Sequence, residues 1–491
     1  MQRNTHCDGV EPVCNTCIRD GQLCAGFEPP GHVSESYPTF HLQSQGTEEF
    51  TPNPLLRAVS VIVSTPIWKP RAPGHHHHLD HSHCEWASQG LEAPIRSVIP
   101  KCIPPDLGVV QNTLPFISYQ YARWIKHTAF IDPPPFIVSG LVNRLSISDM
   151  TFSLMKLGAK IIQSIMDKGE STCVEYEKPI DTLHWQACNT PEEGSSPVCA
   201  KGRLITAIEL TSYKFVVSNS ASGYSFLKMA VPLTIRVAYE YPQVWTKQGK
   251  ISIHRILNDT TLPSFCAFLW MDTMASTFLG TTPLLCYDTS ICEKSRSRHP
   301  MEWMNGCPRE FIGWFGKLNE IRLNITRHGS CLIPIDWESM EKEIQAWKPV
   351  MDGVNFSRKN IARLAAVEGW RYAILIYLYV GICGVTTADH RVQSAVGQII
   401  RLSHIMKQEA MYERHLFGPA IFAGICACSE SQRNYVVCLV ALQRHTRMWV
   451  LQVSDFVHVL LHLWAGAARG GHPITWDDYI RSRRAVLPVN E

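Results

Sequence analysis

Residues 358 to 382 carry few polar side chains beyond Glu368 and Arg371, and after Arg363 no other charged one. A helix that is apolar on nearly every face has to lie at the centre of a core, so the chain must supply enough further helices to cover it. Glu368 and Arg371 stand three residues apart in this run. An unpaired charge there would be very costly, so the two are expected to pair with each other. The apolar run Tyr372 to Cys383 is shorter than the ~18 to 20 residues needed to cross a bilayer. Met448 to Ala467 is long enough, but Asp455, His458 and His462 interrupt it, and neither run reads as a membrane span.

Helical spacing dominates from about residue 115. Ile117 to Phe130 places Tyr121, Trp124 and Ile125 on one face and must stop before Pro133-Pro134-Pro135. Residues 203 to 217 set Leu204, Ala207, Ile208, Thr211 and Phe215 in a stripe, and a turn over Ser218 to Gly223 leads into a helix over Tyr224 to Val244. Pro263 to Leu279 reads as the next helix. Asp336 is a good N-cap for an apolar stripe of Trp337, Met340, Ile344 and Trp347, with Glu338 paired to Lys342 on the surface, and Pro334 and Pro349 bracket that helix. Further helices are expected over 389 to 412, 417 to 428, 430 to 444, 447 to 467 and 475 to 483. Alternating β-branched runs are few, so no sheet beyond a short hairpin is expected. The fold class is all-α, with helices packed as antiparallel neighbours through short loops.

The composition suits such a core, with 45% apolar and 18% charged residues. A net charge of +3 is too small to argue for nucleic acid by itself. The 18 cysteines are scattered and residues 1 to 20 lack an apolar signal segment, which points to a reducing compartment. Cys266, Cys383, Cys426, Cys428 and Cys438 are then expected to be small buried residues. Three regions follow: a cysteine-rich segment at 1 to 27, a Pro/Ser/His-rich linker at 28 to 114 that is mostly disordered, and a helical domain at 115 to 491. In the linker, His75 to His78, His81, His83 and Cys84 would chelate metal without fixed geometry, and a solvated tract is the simpler reading.

The N-terminal segment carries the most specific chemistry. Cys7, Cys14, Cys17 and Cys24 have the spacing C-x6-C-x2-C-x6-C, a donor set that suits one tetrahedral zinc ion. So short a segment has little core and would need the metal to be ordered. The run Cys7-Asp8-Gly9, Pro12, Cys14-x2-Cys17-x6-Cys24 resembles the second half of the fungal Zn2Cys6 binuclear cluster of transcription factors. That resemblance implies two zinc ions in the intact family, with Cys14 matching a bridging ligand. It also implies a first Cys-x2-Cys, whose second member would fall immediately before Met1. The sequence as given is therefore expected to hold at most one zinc ion per chain.

The same comparison implies a basic DNA-reading helix between the second and third family cysteines. Here that interval is Met1 to His6, with Arg3 as its one formal cation, so Arg3 is the only weak candidate for DNA contact. Arg3 and Arg19 stand against Asp8, Glu11, Asp20 and Glu28, which makes residues 1 to 30 net acidic. Phosphate neutralisation supplies most non-specific affinity, so DNA binding by this segment is expected to be compromised. Residues 25 to 115 show no sustained heptads for a dimerising coiled coil.

The larger part resembles the fungal-specific transcription factor regulatory domain. The motifs are Gly202-Arg203-Leu204 through the Ser218 to Tyr224 turn, Ile335-Asp336-Trp337 to Trp347-Lys348-Pro349, Glu368-x2-Arg371-x5-Tyr377-Leu378-Tyr379, and Gly418 to Gly424 followed by Gln432-Arg433. The resemblance implies a nuclear transcription regulator, a homodimer or transcription-machinery partners, and no catalytic residues. The expected function is zinc-cluster regulation by a chain lacking its first exon or true start. The alternative is a regulatory domain that has lost DNA binding and acts through protein partners. An enzyme has least support: no G-x-S-x-G, H-E-x-x-H, Walker or G-x-G-x-x-G motif is present, and His184 with Cys188 is better read as structural. Aromatic residues in Trp303 to Trp314 and Tyr372 to Tyr379 are expected in the core, and Arg481, Arg483 and Arg484 in a solvated end.

Overall fold

The computed structural model describes residues 110–130, most of 141–189, 197–259, 261–290, 300–328, 335–350, 357–442 and 451–490. The four cysteines Cys7, Cys14, Cys17 and Cys24, Arg3 and the histidine tract lie outside the described residues.

The described residues are almost wholly helical. The chain opens with α1 (Val110–Thr128), α2 (Asp149–Lys168), α3 (Glu177–Asn189) and α4 (Pro197–Val217). Next come α5 (Ser220–Met229), α6 (Val231–Tyr239), α7 (Ile253–Asn258), α8 (Pro263–Leu279) and α9 (Pro300–Asn305). The remainder is α10 (Arg309–His328), α11 (Trp337–Ala346), α12 (Arg358–Ile376), α13 (His390–Met406), α14 (Phe417–Ile425), α15 (Glu430–Leu442), α16 (Val453–Ala465) and α17 (Trp476–Val486).

Local chemistry sets these boundaries. Pro263 opens α8, and Gly280 closes it at φ 67°, a conformation open to glycine at little cost. Asp336 caps α11 as expected, accepting from the Ser339 amide at 3.0 Å. The single helix expected over Tyr224 to Val244 is instead three pieces. Asn219 accepts from the Ser222 amide at 2.8 Å and starts α5 where a turn was expected, while Pro232 opens α6 and Pro242 a short 3-10 segment. Similarly α13 ends at Met406 and continues as a 3-10 segment over Lys407–Leu416. Helices α2, α3, α7, α9 and α10 had no counterpart in the sequence reading.

The two strands among the described residues are β1 (Ile251–Ser252) and β2 (Tyr287–Asp288), paired in parallel with Ile251 opposite Tyr287. They are not the short hairpin the sequence allowed, because α7 and α8 intervene. Asp272 of α8 fixes the returning segment, accepting from the Leu284 amide at 3.0 Å and the Tyr287 hydroxyl at 2.8 Å.

Helix α12 is the centre of the core, as its composition requires. It is buried from Ala362 to Arg371 and again from Ala373 through Ile376, and it passes into a π segment over Tyr377–Ile382. There the Cys383 amide donates to the Leu378 carbonyl at 2.9 Å, one residue further back than in an α-helix. Glu368 and Arg371 do pair, at 3.1 Å. Around them aromatic residues meet edge to face, Trp370 with Trp270 and with Phe315 at 5.8 Å each, and Tyr377, one of the aromatic residues expected in the core, packs on Trp476 at 4.8 Å. Such pairs contribute beyond their buried area, by roughly 0.5–1.5 kcal/mol each.

Two expectations about single residues are corrected. Cys266 and Cys426 are buried, Cys383 and Cys428 are half-buried, and Cys438 is exposed. The reason for the last is that its position on α15 falls outside the face carrying Val436, Leu439 and Val440. Arg483 is 0% exposed and donates to the Leu487 carbonyl at 3.4 Å, so of the three arginines expected in a solvated end only Arg481 and Arg484 are exposed. Arg481, two residues earlier and on the opposite, open face, pairs with Asp478 at 3.2 Å.

Candidate ligand pocket

Three helices converge on one partly buried carboxylate. Glu209 lies on α4 one turn before Tyr213, and α1 brings Tyr121 against both. Tyr121 donates to Glu209 Oε1 at 2.6 Å, Tyr213 donates to the same oxygen at 3.1 Å, and Arg144 donates to Oε2. The hydroxyls of Tyr121 and Tyr213 are 3.2 Å apart. Space for them comes from Gly158 of α2, where a Cβ would stand 2.5 Å from each hydroxyl oxygen.

Burial alone would push the Glu209 carboxyl upwards, but Arg144 beside it and the two tyrosine hydroxyls hold it below its ordinary value. Burial and the neighbouring Glu209 push both tyrosines well up, so they stay neutral donors. Glu209 in turn raises Arg144, which remains a cation. The cluster is thus one fixed carboxylate with its oxygens filled, and a guanidinium oriented by it.

A cavity of about 460 Å³ opens beside this cluster. Leu204, Ile205 and Ile208 of α4, Val237 of α6, and Leu262 and Phe265 at the start of α8 give it apolar walls. Arg144, Lys201 and Glu209 are the charged residues of the lining, with Ser212, Thr261 and Ser264 as hydroxyl groups. Its size falls within the range of small-molecule sites, roughly 300–1,000 Å³. The sequence reading placed Leu204 and Ile208 on an apolar stripe but passed over Glu209. A glutamate four residues before a tyrosine on a buried stripe was the available signal, and nothing local marks Arg144.

Among the described residues, His184 and Cys188 do not form a second site. His184 is 0% exposed and stacks on Phe226 with ring centres 3.9 Å apart, and Cys188 Sγ is 3.9 Å from its ring nitrogens. Burial lowers His184 to about 4 and raises the Cys188 thiol to about 11, so near neutrality both are uncharged. That is the reverse of an activated nucleophile. Among the described residues no group of three or more His, Cys, Asp or Glu side chains could hold a metal ion, and no helix is long and apolar enough to cross a membrane.

A family model for the fungal specific transcription factor domain matches residues 195–488, more than half of the chain. The match begins just before α4 and runs past the end of α17. Comparison with curated proteins and with solved structures gives no match.

Proposed function

We propose that this chain, which belongs to the family of the fungal specific transcription factor domain, regulates transcription through its helical domain and keeps, in residues 1 to 27, part of a DNA-reading zinc module. The observation that carries the reading is the family match over α4 to α17, the region built around the apolar α12.

The donor set Cys7, Cys14, Cys17 and Cys24 fits one tetrahedral zinc ion and falls short of the six thiolates a binuclear cluster takes. When bound, zinc would supply the ordering free energy that a segment with so little core lacks. Arg3 is the sole cation before Cys7, and residues 1 to 30 are net acidic, so the segment's own affinity for phosphate is weak. That balance favours a second reading, in which the domain works in the nucleus through protein partners or a second copy of itself.

Two measurements test this. The full chain, tethered through a heterologous sequence-specific DNA-binding module to a fungal reporter promoter, should change reporter expression, and an unchanged reporter would overturn the regulatory reading. Elemental analysis of the purified full chain should find near one zinc per chain, reduced by Cys14→Ser. Two tightly bound zinc ions would overturn the ligand count.

A further inference from the structure

We propose that the cavity beside Glu209 is a binding site for a small organic monocarboxylate with an apolar body, held by Arg144 and Lys201. Binding itself does not depend on the transcriptional reading, although a regulatory consequence would.

The walls decide the body of the ligand. Leu204, Ile205, Ile208, Val237, Leu262 and Phe265 offer apolar surface, and a cavity of about 460 Å³ admits a short hydrocarbon chain or one ring system. Burying that surface takes apolar area out of water, which favours binding.

The charges decide its head. Arg144 is half-buried and spends one end of its fork on Glu209 Oε2. A guanidinium has five donors in a fixed plane, so the rest of the fork stays available to a second planar acceptor. Glu209 does not repel such a guest as a bare charge would, because Tyr121 and Tyr213 occupy its other oxygen. Lys201, exposed on the first part of α4, adds a second cation to the same lining. Two cations against one carboxylate leave a surplus of one positive charge. That matches a monoanion better than a doubly charged phosphate. The Tyr121–Glu209–Tyr213 cluster thereby acts as a support that holds Arg144 in place, and Gly158 is what lets the support close.

The test uses the purified full chain and four probes of one chain length: octanoate, octylamine, octyl phosphate and octanol, titrated by calorimetry. Octanoate should bind saturably and at least about tenfold more tightly than octanol, a difference of about 1.4 kcal/mol. Arg144→Gln should erase that preference, Lys201→Gln should reduce it, and Ser264→Phe should block all binding by filling the cavity. Lys201 is exposed and Ser264 half-buried, so these two variants decide the matter even where Arg144→Gln lowers the unfolding midpoint. The proposal is overturned by absent saturable binding, by equal affinity for octanoate and octanol, by a preference for the amine or the phosphate, or by variants that bind as the unaltered chain does.

Discussion

Tyr287 donates its hydroxyl to Asp272 Oδ2 at 2.8 Å, and this contact ties β2 to the middle of α8. Both side chains are cut off from solvent, and burial raises the Asp272 carboxyl to about 7 despite the donors from Leu284, Tyr287 and Leu285. An unfolded aspartate titrates near ~3.9. Between those values the native chain keeps a proton that the unfolded chain has released, so Asp272 makes stability fall as pH rises through about 4 to 7 and level off above. The slope is at most about 1.4 kcal/mol per pH unit. Urea unfolding at several pH values should show this decline flattened in Asp272→Asn. Identical pH slopes for the two proteins would refute the assignment.

Gly158 should be intolerant of even one added methyl. In Gly158→Ala the Cβ would stand 2.5 Å from the hydroxyls of Tyr121 and Tyr213, and these cannot retreat without releasing Glu209. A loss of about 1–3 kcal/mol is expected, in the range of overpacked cores. In a Tyr213→Phe background one of the two oxygens is gone, so the same change should cost less. Chemical denaturation of the four proteins gives the comparison, and an equal cost in both backgrounds would show that the strain lies elsewhere.

Arg363 and Glu302 form an ion pair with both side chains almost fully buried, joining α12 to α9. Arg363 also donates to the Val350 carbonyl at 3.1 Å. Arg363→Met should destabilise by about 3–5 kcal/mol, since it strands a buried carboxylate. Adding Glu302→Leu removes that carboxylate and should recover most of the loss. Thermal unfolding of the single and double variants reads this directly, and a double variant worse than the single would contradict it.

What could be read from the residues is what local physics fixes. Pro263 and the run up to Leu279 gave the bounds of α8, and Asp336 gave the start of α11, because a cap or an imino acid acts on its immediate neighbours. Glu368 and Arg371 were expected to pair because they are one turn apart in an apolar helix, and they do. The pocket depends on separations the periodicity cannot show: Tyr121 and Glu209 are 88 residues apart, Arg144 and Glu209 are 65. Arg483 misled for the same reason. A cluster of arginines looks solvated, yet the register of α17 turns Arg483 inward and leaves Arg481 outside. Helix α2 was missed despite Leu154, Ile161 and Ile165 at helical spacing, a signal that was present and overlooked.

The π segment after α12 gives the core a place where chain length can change. Each α residue advances the helix by about 100°, so losing one inside Arg358–Ile376 would turn all later side chains away from their partners. Losing one inside Tyr377–Ile382 would let the Cys383 to Leu378 bond shorten to ordinary α spacing, and since the next helix starts only at His390 no helical register directly after it is turned. The Gly381 carbonyl, one residue before the end of this segment, accepts from Arg322 at 3.1 Å. A wide turn inside the buried core is therefore a place where this helix can absorb the loss of a residue.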